Sequence, residues 1–331
     1  MTFTSIRKVD NNDNIQKVLQ KKRNNATVDE LVLGGRLGFK THAFHTRKSS
    51  SSNNDVSFNS NHRNDFYRLG RLIAKNDHLT ILNVFQEDLD CVALDASNRD
   101  FYDGLEQNSS INDLIIECHH QYPNPLNKVL QQILNSYQIN NTTLKHLKIK
   151  ANLQIGNGHT ILVTTLKRCT NLRQIQLAAC GINDEKLLPI VDALTGLSSL
   201  EELSLGGNKI RSFGSCWALS TLLEDTNYSM KQLNLGYNRI GNKGITVIAD
   251  ILANDTKLEE LSLHMQDNPI DQTVENDFAK SLCDTISINS TYLSNHTLEN
   301  LILYPGLSRR TRTKIIVKDE QDRKQKTSCN K

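Results

Sequence analysis

Several kinds of residue and motif are scarce in this chain, and each scarcity rules something out. Its 331 residues include one tryptophan, and aromatic side chains make up 5% of the total. No segment approaches the roughly 18 uninterrupted apolar residues of a membrane-spanning helix, so no membrane association is expected. The N-terminal MTFTSIRKVDNNDNIQKVLQKKRNN has no apolar core of the kind that a secretory signal peptide carries. Seven cysteines, at 91, 118, 169, 180, 216, 283 and 329, are scattered and never spaced C-x-x-C. That pattern fits free thiols in a reducing compartment rather than a disulfide framework or a zinc finger. A cytoplasmic protein is therefore expected, with the nucleus as the second location.

Charge of one sign is also missing. The formal net charge is +3, but residues 308–331 hold nine Lys/Arg against three Asp/Glu, leaving the remainder at −3. A near-neutral body poor in aromatics does not look like a nucleic-acid binder. Catalytic patterns are absent too: there is no G-x-S-x-G, no H-E-x-x-H and no glycine–lysine phosphate loop. DNNDN at Asp10 starts like a calcium loop but lacks its glycine and terminal glutamate. GNGH at Gly156 has two glycines of a dinucleotide fingerprint, not three. Glu117, Cys118, His119 and His120 are adjacent, but neighbours along a strand or loop diverge and no second ligand cluster accompanies them. No catalytic residue, cofactor or metal ion is expected.

What the chain does have is repetition. LKHLKIKAN at Leu144, LRQIQLAAC at Leu172, LEELSLGGN at Leu200, MKQLNLGYN at Met230 and LEELSLHMQDN at Leu258 share the pattern L-x-x-L-x-L-x-x-N/C. Successive copies are 28, 28, 30 and 28 residues apart, and an isoleucine usually follows two places later, at Ile182, Ile210, Ile240 and Ile270. Weaker copies stand at Val28, Leu79, Ile111 and Leu298, for about nine strand-type segments. Between them lie helical patterns such as DEKLLPIVDAL and HTILVTTLKR. Each unit is thus a short strand, a turn and a helix. One such unit cannot bury enough apolar surface to fold alone, so the units must stack into a solenoid.

The pattern resembles the leucine-rich repeat, and the 28-residue units with a helix in each are most similar to the ribonuclease-inhibitor-like subfamily. The resemblance implies an α/β solenoid shaped as a curved horseshoe, with parallel β-strands on the concave face and helices on the convex face. The expected organisation is a polar N-terminal segment or cap at 1–27, repeats over 28–307 and a basic, disordered tail at 308–331. The Ser/Asn-rich insert near 41–65 is expected to be a flexible loop.

In this frame LNLGYNRIGNKG, residues 233–244, is a repeat junction rather than a broken phosphate loop. Leu233 and Leu235 are core positions and Asn238 satisfies backbone groups where the strand turns. Gly241 and Gly244 are expected to let the chain turn into its helix, and Lys243 lies on that turn. Asn152, Cys180 and Asn208 occupy the same structural place as Asn238. Cys180 is thereby excluded as a nucleophile. The N-x-[ST] triplets at Asn108, Asn141, Asn227, Asn254 and Asn295 fall at the helix-to-strand turn, where such residues serve turn chemistry.

Function is then sought at the variable places between the repeated leucines. The candidate partner-binding residues are Lys148, Lys150, Arg173, Gln174, Gln176, Glu202, Ser204, Asn234, Tyr237, Glu260, Ser262, His264 and Tyr304. The face they form is expected to run from basic in its middle to mixed and acidic toward the C-terminus. The leading expectation is a non-enzymatic scaffold, monomeric by itself, that binds a partner protein there. The alternative is a small-GTPase regulator, because Ran GTPase-activating proteins resemble this sequence in using the same repeat class, although they commonly end in an acidic tail. Less expected are a ribonuclease inhibitor, which would be cysteine-dense and acidic, and an immune-type sensor, which would carry a further signalling module.

Overall fold

A computed structural model describes residues 30–33, 43–47, 56–59, 70–71, 73–75, 77–86, 99–118, 128–136, 143–153, 157–224, 227–252, 257–263, 297–303 and 313–316. The chain forms two compact units, Met1–Leu172 and Arg173–Lys331.

In the first unit, β1 (Glu30–Leu33), β4 (Ile81–Gln86), β5 (Asp113–Cys118) and β6 (His146–Lys150) lie side by side in that order and parallel. The register places Leu82 opposite Leu114 and Leu114 opposite Leu147. These three side chains are buried, as are Ile111, Ile116, Leu144 and Ile149. Alternation of apolar and polar residues at the strand period produces this one-sided burial. The weak copies at Val28, Leu79 and Ile111 are therefore true strands of the array.

Helices α1 (Arg99–Gln107), α2 (Lys128–Ser136) and α3 (Gly158–Arg168) separate or follow the strands. A Cβ on Gly104 would lie 2.1 Å from the carbonyl oxygen of Gly70, so the backbones of α1 and the helical residues at 70–71 meet directly. Only glycine on both sides permits that approach.

The second unit continues the pattern with β7 (Gln174–Gln176), β8 (Glu202–Ser204), β9 (Gln232–Asn234), β10 (Glu260–Ser262) and β11 (Asn300–Leu303), all parallel. Helices α4 (Asp184–Leu194), α5 (Phe213–Glu224) and α6 (Asn242–Leu252) connect the first four of these strands. The repeated leucines at 172, 200 and 258 and Met230 are buried, and so are Ile182, Ile210 and Ile240. Ile270 lies outside the described residues.

The turn residue works as the pattern implies. Asn208 Oδ1 accepts from the N–H groups of Cys180 and Ile182, both at 3.0 Å, while its Nδ2 donates to the carbonyls of Leu177 and Leu205, both at 2.8 Å. Asn238 repeats this one unit later, accepting from Ile210 N–H at 3.2 Å and donating to Leu205 and Leu235 at 3.0 and 2.9 Å. Cys180 takes the same place, and its thiol reaches back to the Ala178 carbonyl at 3.6 Å. Asn108, 3% exposed, likewise serves the backbone, donating to Ile73 O and accepting from Ile111 N–H.

Three expectations need correction. The Ser/Asn-rich insert holds two strands, β2 (Ala43–Arg47) and β3 (Val56–Asn59); β2 pairs antiparallel with β1, and β3 with β2. The 308–331 tail holds β12 (Thr313–Ile316), antiparallel to β11. Both segments contain apolar and β-branched residues that pairing favours, AFHTR and VSFN in the insert and TKII in the tail, and each covers a sheet edge that would otherwise stand open. The third concerns Gly241 and Gly244. Neither has a positive φ, and α6 already starts at Asn242. Gly244 is a packing glycine, because a Cβ there would meet Cys216 Sγ at 2.7 Å.

Candidate functional site

The candidate residues divide between the two units. In the first, His146, Lys148 and Lys150 share the half-exposed face of β6. Lys148 pairs with Glu117 of β5 at 2.6 Å, and His146 contacts Asp113. One cation of the basic patch read from sequence, Lys148, is therefore matched by a carboxylate on the neighbouring strand, while Lys145 and Lys150 have no ion pair among the described residues. Glu117, considered above as a metal ligand, serves Lys148; His119 and His120 lie outside the described residues.

In the second unit the strands set out two rows by register. The first runs Gln174, Glu202, Gln232, Glu260 and Asn300; the second runs Gln176, Ser204, Asn234, Ser262 and Ile302. All ten are half-buried or exposed, since the alternate residues point into the core. Gln174 donates to Glu202, and Asn234 Oδ1 accepts from the Gly236 N–H at 2.9 Å. The side chains of Gln176, Ser204, Gln232, Glu260 and Ser262 make no hydrogen bond or ion pair among the described residues. One place before the strands, Arg173 faces Glu201 at 3.7 Å and Lys231 faces Glu259 at 3.6 Å. These pairs are well exposed, so each contributes little to stability. They do, however, balance both cations of this face. His264 and Tyr304 lie outside the described residues.

The loop after each strand adds a second feature. Ala179, Gly207 and Tyr237 stand at the same place of successive repeats, with φ of 55°, 69° and 55°. The left-handed region suits Gly207 but strains a side chain with a Cβ, most of all a bulky one. Tyr237 is nonetheless kept there, 41% exposed.

Sequence reasoning passed over two further places. Leu188 on α4 and Phe213 and Trp217 on α5 are 50, 52 and 55% exposed, and the two rings stack at 6.3 Å. The signal was α5 itself, FGSCWALSTLLE, which is apolar on every side rather than on one stripe. Asp184 opens α4 and accepts from Arg211 N–H, Ser212 N–H and the Ser215 hydroxyl at 3.0, 2.9 and 2.7 Å. Burial alone would raise its carboxyl, but these hydrogen bonds outweigh burial and hold it below the ordinary value. It ties the start of one repeat's helix to the next. Cys169 and Cys216 are chemically quiet, since burial pushes both thiols up to about 12, with Asp184 adding to the effect on Cys216.

A Leucine Rich repeat family model matches residues 226–249, the stretch that holds β9, the Asn238 turn and most of α6. The chain is a leucine-rich-repeat protein. A relative of this leucine-rich-repeat chain is the NACHT, LRR and PYD domains-containing protein 3 of Bos taurus, 27% identical over 154 residues. That match covers 38% of this chain and spans 15% of the relative's length. Among solved structures, Leiomodin-1 Actin-Binding Site 2 is similar at 22% identity and TM-score 0.39, covering 50% of this chain and 91% of that one. The tropomodulin C-terminal domain of Caenorhabditis elegans is similar at 14% identity and TM-score 0.34, covering 45% and 88%. An internalin of Listeria monocytogenes is similar at 18% identity and TM-score 0.38, covering 63% and 54%. With TM-scores below 0.5, none of the three speaks to what this leucine-rich-repeat protein binds.

Proposed function

We propose that this protein is a non-enzymatic interaction scaffold of the ribonuclease-inhibitor-like repeat type, and that the strand face of its second unit receives a partner protein. The observation behind this reading is the pair of strand rows whose Gln176, Ser204, Gln232, Glu260 and Ser262 side chains have no hydrogen-bond or ion-pair partner among the described residues. Half-exposed hydrogen-bonding groups on a rigid sheet are a pre-ordered surface, so docking onto them loses little conformational entropy. A reducing, cytoplasmic setting suits the buried free thiols of Cys169, Cys180 and Cys216.

Regulation of a small GTPase is the second reading. A catalytic arginine acting in trans must be free to reach the transferred phosphate. Arg173 is the arginine that the described strands place on this face, and its exposed pair with Glu201 is too weak to withhold it. A GTP-hydrolysis assay with Arg173→Ala therefore separates the two readings: an unchanged rate supports the scaffold.

The test plugs the face without changing its charge. Ser204→Trp/Ser262→Trp places two indoles on the second row, while Asp192→Asn alters an exposed residue of α4. Native-lysate capture with the full chain is expected to lose its specific partners in the first variant and keep them in the second. Equal capture by both would refute the reading.

A further inference from the structure

The chemistry of this face also narrows what can dock there. Counting β7–β11 and the residue before each strand, Arg173 and Lys231 stand against Glu201, Glu202, Glu259, Glu260 and Glu299, a net of −3. Both cations are already matched across strands, by Glu201 and Glu259. Glu202 and Glu260, in contrast, lie on the first row with no cation facing them among the described residues; Glu202 receives only the amide of Gln174. They sit two strands apart, so their carboxylates are about 10 Å apart at the usual strand spacing. The groups between and beside them are uncharged amides and hydroxyls: Gln232, Gln176, Ser204, Asn234 and Ser262.

Tyr237 stands just beyond the end of β9, between the strands that carry the two glutamates. The same place holds glycine or alanine in the two preceding repeats, and the left-handed backbone there penalises a large side chain. Strained backbone of this kind clusters at ligand clamps and other functional sites. A tyrosine ring at the edge of a carboxylate-bearing face can also stack on a guanidinium.

Building on the scaffold reading, we infer that the occupant is a basic protein segment, rich in arginine or lysine. Its cations pair with Glu202 and Glu260 while one further basic or planar side chain packs on Tyr237. Arginine suits this site better than lysine, because its planar fork can serve a carboxylate and a neighbouring amide together. A partner held by these carboxylates should bind more weakly as salt rises.

The test uses the purified full chain and two fluorescein-labelled 14-residue peptides. One carries four arginines among glycine and serine, and in the other glutamate replaces each arginine. The arginine peptide is expected to bind and the glutamate peptide not to. Glu202→Gln/Glu260→Gln should weaken the arginine peptide at least tenfold, Tyr237→Ala several-fold, and Asp192→Asn not at all. Native-lysate capture is repeated with the same variants. If Ser204→Trp/Ser262→Trp abolishes capture while Glu202→Gln/Glu260→Gln leaves capture and peptide binding intact, the face is a docking surface but its partner is not basic, and the inference falls alone. If neither double variant changes capture, the scaffold reading falls and the inference goes with it. Equal binding of the two peptides would also overturn the inference.

Discussion

Replacing Asn238 with leucine should cost the second unit about 2–5 kcal/mol. The side chain is fully buried, accepts from Ile210 N–H, and donates to the carbonyls of Leu205 and Leu235, with a longer contact of 3.3 Å to Gly236. Leucine is close in volume, so the substitution deletes these bonds without opening a large cavity. Leu205 O keeps a second donor in Asn208 Nδ2. The groups that lose most are therefore Ile210 N–H and Leu235 O, at about 1–3 kcal/mol for each buried group left unmade. Against a typical total of roughly 5–15 kcal/mol, such a loss is large. Asn238→Cys should cost less, because Cys180 fills the same place one repeat pair earlier and its thiol reaches a carbonyl two residues back. Urea titration followed by the fluorescence of Trp217, on α5 of the same unit, reads the effect. A leucine variant within about 1 kcal/mol of wild type, or a cysteine variant as weak as leucine, would refute the ladder argument.

Gly244→Ala should destabilise by about 1–3 kcal/mol, since its Cβ would lie 2.7 Å from Cys216 Sγ and 2.9 Å from Ile240 Cγ2. Adding Cys216→Ala should recover part of that loss, and purely additive effects in urea titrations would argue against the contact. Asp184 has a folded carboxyl below its ordinary value of 3.8, so its stabilisation is present above about pH 4 and is lost as pH falls through the lower folded value. The urea midpoint of wild type should therefore drop more steeply than that of Asp184→Asn as the pH is lowered from about 5 to 2.5, and parallel curves would contradict this role. Ala179→Gly should stabilise by roughly 0.5–1 kcal/mol, because relief of the left-handed strain exceeds glycine's entropic cost. Tyr237→Gly should gain less, as it also removes ring contacts, and should weaken partner binding; a gain in both stability and binding would oppose an anchoring role for the ring.

The parts of this fold that repeat could be read from sequence, and the parts that occur once were harder to read. Leucine spacing located the strands, including the weak copies at Leu79 and Ile111, because their register is imposed by neighbours with the same period. Asn208 and Asn238 were legible for the same reason. The strands β2, β3 and β12 were missed because Ser/Asn-rich or basic composition masked short apolar runs, and their antiparallel pairing has no repeat to align with. For the candidate site, the repeat spacing placed Lys148, Lys150, Gln174, Gln176, Glu202, Ser204, Asn234, Glu260 and Ser262 on the strands, where each is half-buried or exposed. It could not predict that Lys148 would be matched by Glu117 or Arg173 by Glu201, because cross-strand pairing depends on register between copies.

Register also governs how charge is balanced along the second unit's face. A solenoid places the same repeat position of every copy in one row, so a substitution in one copy changes its relation to both neighbours. Where successive copies carry opposite charges, as Arg173 with Glu201 and Lys231 with Glu259 do, the row is neutralised from within. Where they carry amide, carboxylate, amide, carboxylate, as Gln174, Glu202, Gln232 and Glu260 do, the carboxylates face no cation among the described residues. Packing does not demand either arrangement, since every core leucine would be equally buried with serine along the whole row. Core packing therefore does not account for the carboxylates of this row, and the tyrosine beside it holds a left-handed backbone that glycine adopts without strain. The carboxylate row and the left-handed tyrosine lie within one loop of each other, and the basic segment proposed above would engage both.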